Sequence, residues 1–118
     1  MATLSVDSLF DAAIRILVVE EKTINLSFTE ESISIRLPTT RRFADFLAVP
    51  HYYILPYFAT MEEENLVTRA ERVGILTTRK GTRKFIRMMA DSYAGEAESL
   101  LGPVIFKELR SIADGMEP

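Results

Sequence analysis

The chain has 118 residues, 47% hydrophobic and 26% charged, with a formal net charge of −3, a length and balance that fit one self-supporting, water-soluble domain. No run of about 18 apolar residues occurs, which excludes a membrane-spanning helix, and the lack of cysteine removes disulfide staples, thiolate metal sites and cysteine nucleophiles together. Met1 to Phe10 carries no positive flank and Ile14 to Val19 is too short for a secretory core, so the expected location is cytoplasmic.

Ser5 or Asp7 caps a first helix over 5–20, because a short polar oxygen there satisfies backbone donors left orphaned in the first turn. Leu9, Phe10, Ala13, Ile14 and Leu17 form its apolar stripe. Ile24, Leu26 and Phe28, then Ile33, Ile35 and Leu37, alternate with polar residues on either side of Thr29-Glu30-Glu31-Ser32, which predicts a half-buried hairpin over 24–37. Pro38 ends it. Thr39 or Thr40 caps a second helix, with Phe43, Ala44, Phe46 and Leu47 inward, that stops near Val49-Pro50 because a residue before proline is disfavoured in helical geometry. A third helix runs from Pro50 to about Asn65 with Ile54, Phe58 and Met61 on its inner face. Within 66–78, Leu66 to Ala70 and Gly74 to Thr78 read as two short strands joined through Glu71-Arg72-Val73-Gly74. Helical spacing returns over 79–114 through Phe85, Ile86, Met88, Met89 and Tyr93, pauses at Gly95, and is kinked or restarted at Gly102-Pro103. The last four or five residues are expected to fray.

The charge is unevenly spread. From Arg41 to Arg87 nine basic residues face five acidic ones, an excess of +4, while the two flanks carry −7. Counterion release from phosphates rewards such a basic segment, although the chain as a whole is acidic. His51, the one histidine, lacks companions that would complete a metal site. Glu62-Glu63-Glu64 points its side chains in different directions around a helix, which argues against acid-base catalysis. No phosphate-binding loop, dinucleotide fingerprint, serine elbow or His-Glu zinc motif occurs, so neither an enzyme nor a cofactor is expected.

The order helix, strand, helix, helix, strand, strand, helix resembles the winged helix-turn-helix superfamily, particularly small prokaryotic regulators of the MarR-like and PadR-like kind. Glu62-Glu63-Glu64-Asn65-Leu66-Val67 is similar to that group's Leu-Glu-Glu-Glu-Gly-Leu-Val, and Ile75-Leu76-Thr77-Thr78-Arg79-Lys80-Gly81 to its Leu-Thr-x-x-Gly at the second wing strand. The resemblance covers about 45 residues. It implies an α+β fold, a single winged-helix domain over 1–118, with an added N-terminal hairpin and C-terminal dimerisation helices. It further implies a homodimeric transcriptional regulator whose third helix enters the major groove of double-stranded DNA. His51 and Tyr52 would then reach base edges, Tyr57 a phosphate or sugar. Arg41, Arg42, Arg69, Arg72, Arg79, Lys80, Arg83 and Lys84 would hold phosphates. The surplus apolar residues of the last helix, Leu101, Val104, Ile105, Phe106, Leu109 and Ile112, would form the dimer seam.

One stretch departs from this pattern. The third helix presents Pro50-His51-Tyr52-Tyr53 and then Leu55-Pro56, where reading helices offer hydrogen-bonding side chains. Pro56 should also bend that helix. Aromatic and apolar groups favour interface cores, so a second expectation stands beside the first: a winged-helix protein-interaction module that docks through Tyr52, Tyr53, Leu55 and Tyr57 and binds DNA weakly or not at all.

Overall fold

A computed structural model describes residues 3–28 and 32–115. The N-terminal helix lies at its centre. Helix α1 (Val6–Ile14) begins with a reciprocal cap, the Ser5 hydroxyl accepting from the Ser8 N–H at 3.0 Å and the Ser8 hydroxyl from the Ser5 N–H at 2.8 Å. It continues as a π-helical segment over Arg15–Glu20, where the Glu21 N–H reaches back five residues to the Ile16 carbonyl at 2.8 Å. Phe10, Ala13 and Ile14 are buried, and so are the consecutive Ile16, Leu17 and Val18. A helix apolar on all sides must be covered on all sides; here α2 (Thr40–Leu47), α3 (His51–Glu63) and α4 (Arg79–Ser92) cover α1, and α5 (Ala94–Leu101) covers the π segment.

Strands β1 (Leu26–Phe28) and β2 (Ile33–Ile35) pair antiparallel with Phe28 opposite Ile33. Of the turn expected at Thr29-Glu30-Glu31-Ser32, the first three residues lie outside the described residues. Ile33 and Ile35 are buried because β2 packs on α4 and beside β4 (Gly74–Thr77), whereas Phe28, expected to face inward, is 68% exposed on the outer strand. Thr39 caps α2 (Thr40–Leu47), its hydroxyl accepting from the Arg42 N–H at 3.1 Å. Ala48 turns the chain with a left-handed φ of 55°, and α3 (His51–Glu63) follows. Phe43 and Phe58 lock these helices together edge to face, ring centroids 5.1 Å apart. No break interrupts α3 at Pro56; Tyr52 and Pro56 are both exposed, so water can serve the carbonyl that loses its intrahelical donor.

Asn65 closes α3 at a φ of 60°, and β3 (Val67–Ala70) pairs with β4 (Gly74–Thr77) around a turn in which Arg72 has a φ of 66°. The two hairpins are stitched together: Arg36 bridges Leu76, and the Leu37 N–H donates to the Ile75 carbonyl at 2.9 Å. A fully buried hydroxyl relay backs this seam. The Ile35 N–H donates to Thr77 Oγ1 at 2.8 Å, the two threonine hydroxyls are 2.6 Å apart, and Thr82 Oγ1 donates to the Ile33 carbonyl at 2.6 Å. Since a carbonyl only accepts, Thr82 spends its proton there and Thr77 must donate to Thr82.

Helix α4 (Arg79–Ser92) starts at Thr78, whose hydroxyl accepts from the Gly81 N–H at 3.1 Å. Gly81 crosses so close to β3 that a Cβ would lie 1.9 Å from the Leu66 carbonyl oxygen, a physical reason for glycine in the Thr-Thr-Arg-Lys-Gly stretch. The helical run then breaks at Tyr93, not at Gly95 as the pattern suggested, and the Tyr93 hydroxyl donates to Asp11 of α1 at 2.7 Å. Gly102, at a φ of 85°, separates α5 (Ala94–Leu101) from α6 (Pro103–Gly115), which packs on α4. Among the described residues, six α-helices and two small antiparallel hairpins make this an α+β protein with a radius of gyration of 13.6 Å, the size of one compact unit. Among the described residues no helix is long and apolar enough to cross a membrane.

Candidate nucleic-acid interface

The two helices α2 and α3 are joined through Ala48, Val49 and Pro50, so the head of α3 starts beside the end of α2. The His51 side chain reaches back along α2, where its Nε2 lies 2.7 Å from the Thr40 hydroxyl and ties the head of α3 to the head of α2. Thr40 and Thr39 also line a cleft of about 450 Å³ between α2 and the β3–β4 hairpin, and its opposite wall carries Arg36, Arg69 and Arg72. Arg36 arrives there because strand alternation turns it away from the buried Ile35 and Leu37. Its guanidinium lies over Gly74, where a Cβ would sit 3.7 Å from Nε. Arg36 was not among the residues singled out from sequence, although the same alternation marks it as outward-facing.

The predicted phosphate ligands differ in how free they are. Arg42 bonds Glu20 at 2.7 Å and Glu21 at 3.2 Å, and these carboxylates, Glu20 foremost, raise its pKa further above the ordinary arginine value. Arg69 pairs with Glu62 at 2.7 Å. Lys84 pairs with Asp7 and lies over the Phe10 ring, fastening α4 to α1. Lys80 donates to the Glu64 carbonyl at 3.1 Å. Among the described residues no ion pair engages Arg36, Arg41, Arg72, Arg79 or Arg83.

These residues do not share one surface. The thirteen residues of α3 rise about 20 Å, with His51 at the head and, past its last turn, the Glu64 carbonyl that Lys80 holds. Arg36 and Arg72 line the cleft whose Thr40 touches His51 at the head of α3, and Arg41 follows Thr40 in sequence, while Lys80, Arg83 and Lys84 border a separate cleft with Glu64, at the foot of α3. The outer face of α3 is as apolar as the sequence implied: Tyr52 is 66% and Tyr53 51% exposed, their rings stacked edge to face at 4.8 Å, and Leu55 is exposed beside them. Tyr57 is half-buried against the core.

The suspected dimer seam is likewise divided. Phe106 and Leu109 are buried in the chain's own core and Leu101 is half-buried against it, whereas Val104 at 70%, Ile105 and Ile112 face outward. No family model matches the chain, and no curated protein matches it either.

Proposed function

We propose that this chain is a winged helix-turn-helix protein that binds duplex DNA as a homodimer and regulates transcription in the cytoplasm. The observation that carries the reading is the cleft between the head of α2 and the β3–β4 hairpin, lined by Arg36 and Arg72 and by Arg69, which Glu62 already engages, with Thr40 at its edge touching His51 at the head of α3. The helix, three-residue turn, helix and hairpin succession supports it, as does the bridge between β2 and β4, which gives the hairpin a third strand to lean on. In this reading α3 lies in the major groove, Arg41 and the cleft arginines hold phosphates, and Tyr52 meets base edges or thymine methyl groups. Two copies meet through Val104, Ile105 and Ile112 of α6. The chain itself performs no reaction.

The test is binding of the purified protein to labelled duplex from upstream of its own gene, beside a scrambled duplex, at about 50 and about 200 mM salt. Preference for the native duplex, affinity that falls steeply with salt, and a salt slope that loses about one unit in Arg72→Ala are expected. No binding to either duplex by a folded protein refutes the reading.

The solvent-facing Tyr52, Tyr53 and Leu55 favour a second reading, a protein-docking module. The two separate cleanly by mutation. Under DNA binding, Arg36→Ala and Arg72→Ala are the damaging changes; under protein docking they are silent and Tyr52→Ala is damaging.

A further inference from the structure

Arg42 lies in the first turn of α2, two residues past Thr40, which borders the cleft proposed to hold phosphates. Its N–H donates to the hydroxyl of Thr39, another residue of that cleft, at 3.1 Å. Its guanidinium, however, reaches to the end of the π segment. There Nη2 donates to Glu20 at 2.7 Å and Nε to Glu21 at 3.2 Å.

Nε and one Nη are the parallel donors with which an arginine grips a phosphate. On Arg42 two separate carboxylates, from consecutive residues, fill the two places that a single phosphate would take. Among the described residues no other ion pair holds either carboxylate, and none engages Arg36, Arg41 or Arg72, the neighbouring cations of the site. The Arg42 side chain is still 33% exposed, so the guanidinium can be reached from solvent once the carboxylates lose their charge.

We infer that Glu20 and Glu21 act as an internal phosphate mimic, an autoinhibitory contact that keeps Arg42 off the DNA backbone and so limits affinity. The inference rests on the DNA-binding reading and adds a control to its site. Two carboxylates bring two negative charges, whereas each backbone phosphate of a duplex brings one, and the carboxylates are tethered to the same chain, which gives them a high effective concentration. Arg42 therefore stays with them when a duplex arrives. Every duplex then binds less tightly than the cations of the site would allow, native and scrambled alike, since phosphate contacts position the protein without specifying sequence. A contact that merely fastened α2 to the π segment would change stability when removed and leave the salt dependence of binding as it was.

The experiment measures affinity for the native and the scrambled duplex, from about 50 to about 200 mM salt, in the full chain and its variants. Glu20→Gln with Glu21→Gln should bind both duplexes more tightly, with a salt slope steeper by about 0.9, the increment of one phosphate contact, so that the gain shrinks about threefold over that range. Arg42→Gln alone should leave the slope unchanged, and added to the paired variant it should cancel the gain. Glu96→Gln with Glu98→Gln removes two exposed charges of α5 that enter no ion pair among the described residues, and it should not alter the slope. Glu20→Gln alone, which loses the 2.7 Å contact, should steepen the slope in the same direction, so the question is answered even if the paired variant does not fold. Wild-type binding with no steeper slope in a folded carboxylate variant, an equal change in the α5 variant, or a gain that survives Arg42→Gln overturns the mimic and leaves the DNA reading standing. Binding by none of the folded proteins overturns both.

Discussion

At the scale of single residues, the buried polar groups carry the sharpest consequences. The Thr77–Thr82 relay satisfies one backbone donor and one backbone acceptor of β2 inside the core. Thr82→Val keeps the volume but strands the Ile33 carbonyl and the Thr77 proton, and urea unfolding should report a loss of about 1–3 kcal/mol. Tyr93 offers a pH-dependent counterpart. Burial first, and then its hydrogen bond to Asp11, push the phenol up to about 12. A group whose pKa rises on folding favours the native state while it holds its proton. Its contribution is therefore whole below the ordinary phenol value of about 10 and drains away as pH climbs to about 12. Tyr93→Phe should be the less stable protein at about pH 9, and its deficit should shrink between about pH 10 and 12; unfolding midpoints of the two proteins across that range measure the gap. A constant deficit would refute the assignment.

At the scale of elements, helices and strands follow apolar spacing closely, and the exceptions have local causes. Ile54, Phe58 and Met61 repeat on one helical face and are buried there, and Asn65 ends α3 left-handed. The π segment gives no such signal, because one widened turn barely alters the spacing of Ile14, Leu17 and Val18. Phe28 fits an alternating strand, yet alternation cannot tell which strand of a hairpin is the outer one. The break at Tyr93 depends on Asp11, a partner distant in sequence. The same limit governs the site. Arginine and lysine can be counted from sequence, but which are already paired, as Arg42, Arg69 and Lys84 are, depends on carboxylates brought by other elements. The α2–α3 corner offers a direct test of local strain. Ala48 holds a left-handed φ of 55° that suits glycine, so Ala48→Gly should raise the unfolding free energy by about 0.5–1 kcal/mol. A decrease would place the strain elsewhere.

At the scale of the whole molecule, exposed apolar groups form two patches, Tyr52, Tyr53 and Leu55 on α3 and Val104, Ile105 and Ile112 on α6. Arg36 and Arg72 line the cleft beside the head of α2, and Lys80, Arg83, Lys84 and Arg87 border a second cleft along α4. If two copies join through α6, Val104→Glu with Ile105→Glu should leave a folded monomer by light scattering and weaken DNA binding through lost avidity. A wild type that is monomeric at micromolar concentration would remove the dimer from the proposal. The position of α1 has a further consequence for how the chain is made. This helix and its π continuation are made before α4 and α5, which cover much of them. At roughly 5–20 residues per second its apolar surface waits about 4–16 s for its cover. Nascent chains halted before α4 should therefore be bound by chaperones and cut by proteases, and full-length chains released from both.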